Sequence, residues 1–156
     1  MRLKDLYFRQ PNNFTCVPAD VKMLLRYYGI EIPFSRIVRE CKTDRSSGTY
    51  MRDAVRFLKS LGLQPKYRKS VSLSQVRQIV DQGHPIIAPV HWDTLYPHDK
   101  NLPGEIETHV VLVIHCSKNR VYFLDSCKSG SASLKWRTNV DFKEAWDFCD
   151  NAILYI

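Results

Sequence analysis

Gln10-Pro11-Asn12-Asn13-Phe14-Thr15-Cys16-Val17-Pro18-Ala19-Asp20, followed by the apolar pattern Val21 to Tyr28, decides how this chain is read. Pro-Asn-Asn marks a turn. Val17, Val21, Leu24, Leu25 and Tyr28 then follow an i, i+4, i+7 rule, which predicts a helix over 16–28 ending at Gly29. Pro18 suits the first helical turn, where its missing N–H costs nothing. Cys16 therefore falls at the N-terminal tip of a packed helix, with Gln10 six residues before it. A helix start offers unpaired N–H groups and a partial positive charge. Both favour thiolate over thiol, and thiolate is the nucleophilic form. A lone cysteine is also read as a small buried hydrophobe, so the rest of the chain must decide.

Outward from this stretch, Leu3, Leu6, Tyr7 and Phe8 predict a short extended segment on the N-terminal side. On the other side, Ile30 to Pro33 form a connector, and Pro33 opens a shorter helix to about Cys41 with Ile37 and Val38 inward. Thr43 to Thr49 is a loop between two helices, placed to border a site. A third helix spans about Tyr50 to Leu61, with Ala54, Val55, Leu58 and Leu61 on one face, ended by Gly62. Leu63 to Arg68 reads as a short strand. Ser72 caps a helix from Leu73 to Asp81, with Leu73, Val76, Ile79 and Val80 inward.

After Gly83 the pattern changes. His84 to His91 is an apolar run read as a buried strand, whose pairing Pro85 and Pro89 limit. Residues 92–107 read as a long polar loop containing Asp93, Pro97, His98, Asp99, Pro103 and Gly104. Thr108 to Cys116 and Arg120 to Leu124 form a hairpin across Ser117-Lys118-Asn119, ending at Asp125. Ser126 to Ser133 is loop-like, and Leu134 to Trp136 an edge strand. Asp141 caps a last helix with Phe142, Ala145, Trp146 and Cys149 on one stripe, and Ala152 to Ile156 closes the chain as a strand. Helices first and a mostly antiparallel sheet afterwards give an α+β class, and 156 residues suffice for a single domain, 1–156, with one sizeable core.

Composition narrows the possibilities. The chain is 44% hydrophobic and 25% charged, ordinary values for a globular protein. No apolar run approaches a membrane span or a signal peptide, so the expectation is a cytoplasmic location. Five cysteines with no Cys-x-x-Cys pair argue against a disulfide framework or a zinc ribbon. They fit reduced thiols. The net charge of +7 is partly gathered in Arg52, Arg56, Lys59, Lys66, Arg68 and Lys69. Such an excess suits nucleic acid, a membrane surface, an acidic peptide or a solvated face. No nucleic-acid motif accompanies it, and no nucleic-acid partner is expected. His84, His91 and His98 recur every seven residues, but on a strand and loop broken by prolines that spacing matches no common metal geometry. His91, Asp93 and His98 are alternatives for lining a substrate cleft. Cys127 is a candidate secondary oxidation site.

Cysteine nucleophilic chemistry needs a reactive thiol, a histidine to move the proton, a group orienting that histidine, and donors for the oxyanion. Cys16 supplies the first. His109 begins a strong strand, and Asp125 ends its hairpin partner, so both lie on the same side of the sheet and Asp125 can reach the imidazole. Gln10 and the Cys16 N–H can face an oxyanion.

Gln-x5-Cys at a helix start, His-Val-Val beginning a strand, and Asp sixteen residues later resemble family thirty-nine of the cysteine peptidases. These are the bacteriocin-processing, double-glycine leader peptidases, often N-terminal domains of ABC exporters. The resemblance extends to Tyr27-Tyr28-Gly29, to Leu61-Gly62-Leu63 and to Gly83-His84-Pro85-Ile86. It implies a papain-like fold with Cys16 as nucleophile, His109 as general base and acid, Asp125 as orienting residue and Gln10 as oxyanion donor. It also implies no metal or organic cofactor, a peptide or protein substrate with a small residue before the scissile bond, and a transporter or carrier partner outside this chain. Three positions depart from the family. Val17 replaces the usual Gly, Ser126 replaces the usual Pro, and 92–107 is longer; no transporter segment follows. These departures bear on leader specificity. The alternative reading is a peptide-binding or regulatory domain that keeps the fold with little turnover.

Overall fold

The alternation of side chains along two central strands organises the molecule. The computed structural model describes residues 2–98, 108–127 and 134–156. Strands β1 (Lys66–Arg68), β2 (Ile86–His91), β3 (Thr108–Cys116), β4 (Arg120–Leu124), β5 (Leu134–Thr138) and β6 (Ile153–Tyr155) form one sheet in the order β1-β6-β2-β3-β4-β5. Every pairing is antiparallel. Successive side chains on a strand point to opposite faces. Ile86, Ala88, Val90, Val111 and Val113 therefore enter one core and Ile87, Val110 and Leu112 the other.

Helices α1 (Leu3–Leu6), α2 (Cys16–Tyr27), α3 (Phe34–Glu40) and α4 (Met51–Ser60) contribute to the second core. Helices α5 (Leu73–Asp81), α6 (Trp92–Leu95) and α7 (Asn139–Asp147) contribute to the first. The sheet is thus covered on both faces, in the α+β arrangement expected. Helix α2 is buried from Val17 through Leu25, including Asp20 and Lys22. A helix enclosed to that extent is a rigid mount for whatever stands at its tip. It ends at Gly29, whose φ of +72° an L side chain rarely adopts.

Most predicted boundaries hold within a residue or two. Ser72 caps α5 through a full capping box with Gln75. The β3–β4 hairpin turns at Ser117 to Asn119 and carries a bulge between Val113 and His115. Pro89 does not prevent β2 from pairing with β3 along its whole length, yet β2 meets β6 only at Ile87–Leu154. The prolines thus restrict one edge, not both.

Three expectations need correction. Residues 3–6 form a helical turn, not an extended segment, with Leu6 anchored in the core. Residues 92–95 are helical too, because Trp92 and Leu95 are fully buried. The Asp99, Pro103 and Gly104 positions of the predicted loop, and 128–133, lie outside the described residues. The last helix is capped by Thr138, whose hydroxyl accepts from the Asp141 N–H at 3.1 Å, so Asp141 sits in its first turn. In α4 the expected face holds, with Ala54 and Leu58 buried, Val55 and Leu61 packed half-buried against the same core, and Phe57 buried beside them.

Candidate active site

The tip of α2 meets the start of β3 and the end of β4. Thr15 stands at the N-cap of α2, but its hydroxyl is turned to Asn12 Oδ1 at 2.9 Å, so no side chain caps the helix. No acidic residue lies in the first turn either. The N–H groups there are left without a side-chain acceptor, and Cys16 shares their end of the helix.

His109 and Asp125 are brought together as the hairpin predicts. His109 Nε2 donates to Asp125 Oδ1 at 2.8 Å, with the two side chains 2% and 0% exposed. That bond fixes the tautomer and leaves Nδ1 for the Cys16 side. Trp92 meets the imidazole edge-on at 4.8 Å between ring centroids. Asp125 is held from three sides. Oδ1 also accepts the Cys127 N–H at 2.9 Å, and Oδ2 accepts the Tyr96 hydroxyl.

The electrostatics follow from these contacts. Burial alone would lower the His109 pKa, but the Asp125 charge and hydrogen bond, together with Cys16, outweigh it and hold the pKa well above the usual imidazole range. Burial would raise Asp125, yet the His109 charge, the His109 and Tyr96 hydrogen bonds and the Cys127 N–H bring its carboxyl below the usual value. Each of the two groups thus favours the charged form of the other.

Gln10 is 7% exposed. Its backbone N–H donates to Ser126 O at 3.0 Å, and its Oε1 accepts from Ser126 Oγ at 2.8 Å. Nε2 donates to Asn12 O at 2.6 Å, which uses one of its two protons. The segment before α2 is thereby tied to the residue after Asp125.

Cys16 and His109 both open onto a groove of about 500 Å³. Its walls include Asn13, Phe14, Val17, Pro89 and Thr108, and the Arg45-to-Thr49 loop expected to border a site. Asp44 accepts from the Ser46 N–H at 2.8 Å and the Ser47 N–H at 3.1 Å, which shapes that loop. Val17 lines the groove with only 5% exposure, most of its side chain lying in the α2 core.

Other candidates lie elsewhere. His91 binds Thr94 Oγ1 at 2.7 Å and stacks on Phe148, and His84 binds Tyr28 OH at 3.1 Å. Neither these two nor Asp93 and His98 line the groove. Among the described residues no group of three or more His, Cys, Asp or Glu could hold a metal. Much of the basic cluster is engaged locally, Arg56 with Asp53, Lys69 with Asp150, Lys66 over Tyr155 and Arg52 over Tyr50. The five cysteines are free thiols. Burial raises four of them, with Cys41 pushed up to about 12, Cys116 and Cys149 to about 11, and Cys127 also upward.

Three residues of this neighbourhood were not legible as such in the sequence. Tyr96 fell within the stretch read as a polar loop, although an aromatic carrying a hydroxyl is a standing hint of a buried donor. Ser126 stood out only as a departure from the family. Asp20 carried no signal beyond being an acid among apolar neighbours. It is completely buried, one turn beyond Cys16 on the same helix face.

Among the described residues, no helix is long and apolar enough to cross a membrane. No curated protein matches the chain. Several solved structures share its fold. A Bacillus anthracis protein assigned to the C39-like peptidases aligns with a TM-score of 0.77 at 18% identity, over 99% of this chain and 96% of its own. A double-glycine-motif protease from an AMS/PCAT transporter, solved in complex with the leader peptide, aligns at 0.72 and 15% identity, over 96% and 89%. The peptidase domain of Streptococcus ComA, a bifunctional ABC transporter involved in quorum sensing, aligns at 0.71 and 18% identity, over 94% and 93%. The Peptidase_C39 like family model matches residues 4–152, and the chain belongs to that family.

Proposed function

We propose that residues 1–156 act as a single cysteine peptidase domain, with Cys16 as nucleophile, His109 as general base and acid, Asp125 as its orienting residue and Gln10 as an oxyanion donor. The observation that carries this reading is that His109, bonded to the buried Asp125, lines one groove together with Cys16. The Cys16 thiolate attacks the peptide carbonyl carbon, forming a C–S bond while the carbonyl electrons move to oxygen. The free Gln10 amide proton and the Cys16 N–H stabilise that oxyanion. Collapse of the intermediate breaks the C–N bond, and imidazolium His109 gives its proton to the departing amine. Neutral His109 then takes a proton from water. The hydroxide cleaves the thioester, releasing the acid and restoring thiolate and imidazolium.

The substrate in this reading is a peptide with a small residue before the scissile bond. The exposed edge of Val17, which lines the groove beside the nucleophile where glycine would leave more room, supports that choice. Likeness of fold to a protease solved with a leader peptide supports a leader-type substrate, delivered by a transporter or carrier protein in the cytoplasm. The test is hydrolysis of a peptide library with Gly-Gly, Gly-Ala and bulky pairs before the cleavage point, using wild type and Cys16→Ala. Cleavage after small pairs that Cys16→Ala abolishes is the expected result. Binding of the same peptides without cleavage by wild type would overturn the enzyme reading in favour of a peptide-binding domain.

A further inference from the structure

One cation in the groove has no partner. The wall that begins at Arg45 continues through Tyr50 and Met51. Among the described residues that line the groove there is no Asp or Glu. Apart from Cys16 and His109 of the proposed machinery, Arg45 is the one lining side chain that carries charge at neutral pH. Arg45 is exposed, and it makes no ion pair, hydrogen bond or ring contact among the described residues.

The loop that carries Arg45 is closed, and the acids beside it in the chain are engaged elsewhere. The Asp44 N–H donates to Gly48 O and the Gly48 N–H to Asp44 O, both at 2.8 Å. The Thr43 and Thr49 hydroxyls meet at 2.8 Å, and Gly48 takes the turn at a φ of +69°. Asp44 Oδ1 accepts from the backbone N–H and the hydroxyl of both Ser46 and Ser47. The nearest acid in sequence is thus bound within its own loop. The next, Asp53, accepts from Arg56 at 2.8 Å. A second cation, Arg52, stands 4.8 Å from the centroid of the Tyr50 ring that lines the groove. This wall therefore presents its positive charge to whatever occupies the groove.

We propose that Arg45 is a specificity-determining residue, selecting peptides that carry Asp or Glu close to the scissile bond. The inference rests on the groove being where the substrate peptide lies. A guanidinium takes a carboxylate through two parallel N–H···O bonds, a geometry that neither a neutral amide nor a lysine on the protein side reproduces. A peptide with Lys or Arg at the same place meets like charge and is disfavoured. Because Arg45 is exposed, the pair is modest in strength and screened by salt. It therefore discriminates through binding, and so through KM, while the chemical step at Cys16 is left to the groups around it.

Cleavage and binding test this separately. Gly-Gly peptides carrying Glu, Gln or Lys at each position in turn, on either side of the cleavage point, are compared at low salt by kcat/KM with the wild type and by fluorescence anisotropy with Cys16→Ala. At one position or two neighbouring ones, Glu should be favoured over Gln about three- to fivefold, mostly through KM, and over Lys by more. Arg45→Ala should bring the Glu-to-Gln ratio to about one, Arg45→Glu should place Lys above Glu, and Arg45→Lys should restore part of the preference. Salt at about 0.5 M should compress the wild-type ratio. The proposal is overturned if no position favours Glu, or if the ratio is the same in wild type and Arg45→Ala. Failure of the wild type to cleave any peptide would instead overturn the peptidase reading, and the anisotropy ratios on Cys16→Ala, with and without Arg45→Ala, would still decide the role of Arg45.

Discussion

His109 Nε2 and Asp125 Oδ1 are 2.8 Å apart, and solvent reaches neither side chain to any useful extent. An ion pair so enclosed is weakly screened and strongly oriented. It is also costly to break from one side, because the remaining charge stays buried.

Asp125→Asn should keep the fold and lose turnover. The amide can still meet the ring, but its carbonyl is a weaker partner for imidazolium, and its N–H₂ end favours the wrong tautomer. Loss of a comparable orienting carboxylate lowers kcat by about 10⁴ elsewhere, and a fall of roughly 10²–10⁴ is expected here. Steady-state kinetics on a cleaved peptide, with KM nearly unchanged, is the check.

Tyr96→Phe should shift acid unfolding. Asp125 has a folded pKa below its unfolded one, so it contributes stability above the unfolded value that is lost as pH falls through the folded value. Removing the Tyr96 donor raises the folded value towards the unfolded one. The loss then begins at higher pH, and neutral stability falls by about 1.5–3 kcal/mol. Urea titrations between pH 3 and 7 should show both changes, and parallel wild-type and variant curves would refute the link.

Asp20→Asn should become relatively more stable as pH rises. A raised folded pKa means that the folded state keeps a proton the unfolded state has released above its own carboxylate value. Wild-type stability therefore falls with pH in that window, by up to about 1.4 kcal/mol per pH unit. The stability difference between Asn variant and wild type should widen from pH 4 upward until the folded pKa is passed. A difference independent of pH would mean that Asp20 is ionised in the folded protein.

Val17→Gly joins two effects. It removes a core side chain and places glycine in a helix, together costing about 2–4 kcal/mol. It also widens the groove beside Cys16. Relative kcat/KM for peptides with bulkier residues before the scissile bond should rise, measured as competition within one mixture. An unchanged preference would show that the wall formed by Arg45 to Thr49 sets specificity instead.

What the sequence disclosed depended on how strongly each residue was tied to a periodic element. Cys16, His109 and Asp125 stand at the ends of a long apolar helix and a long hairpin, whose patterns place them without knowledge of the fold. Leu3–Leu6 and Trp92–Leu95 are single helical turns, too short for any period to show, and burial of Leu6, Trp92 and Leu95 anchors them. Tyr96 meets Asp125 from 29 positions away, and Ser126 meets Gln10 from 116 positions away. Contacts of that kind arise from packing, which spacing does not encode. Helix capping was read correctly at Ser72, where the glutamine three residues on completes the box. It was misplaced at Asp141 because Thr138, three residues earlier, offered an equally good cap.

The central claim concerns Cys16 and its dependence on His109. Limiting iodoacetamide applied to the native protein between pH 5 and 9, with sites mapped by mass spectrometry, tests it most directly. Cys41 and Cys116 are buried, and burial holds Cys127 and Cys149 in the thiol form, so these four should react slowly. Cys16 should be alkylated first throughout that range, and His109→Ala should abolish the preference. Equal labelling of Cys16, Cys127 and Cys149, unchanged by His109→Ala, would contradict the account.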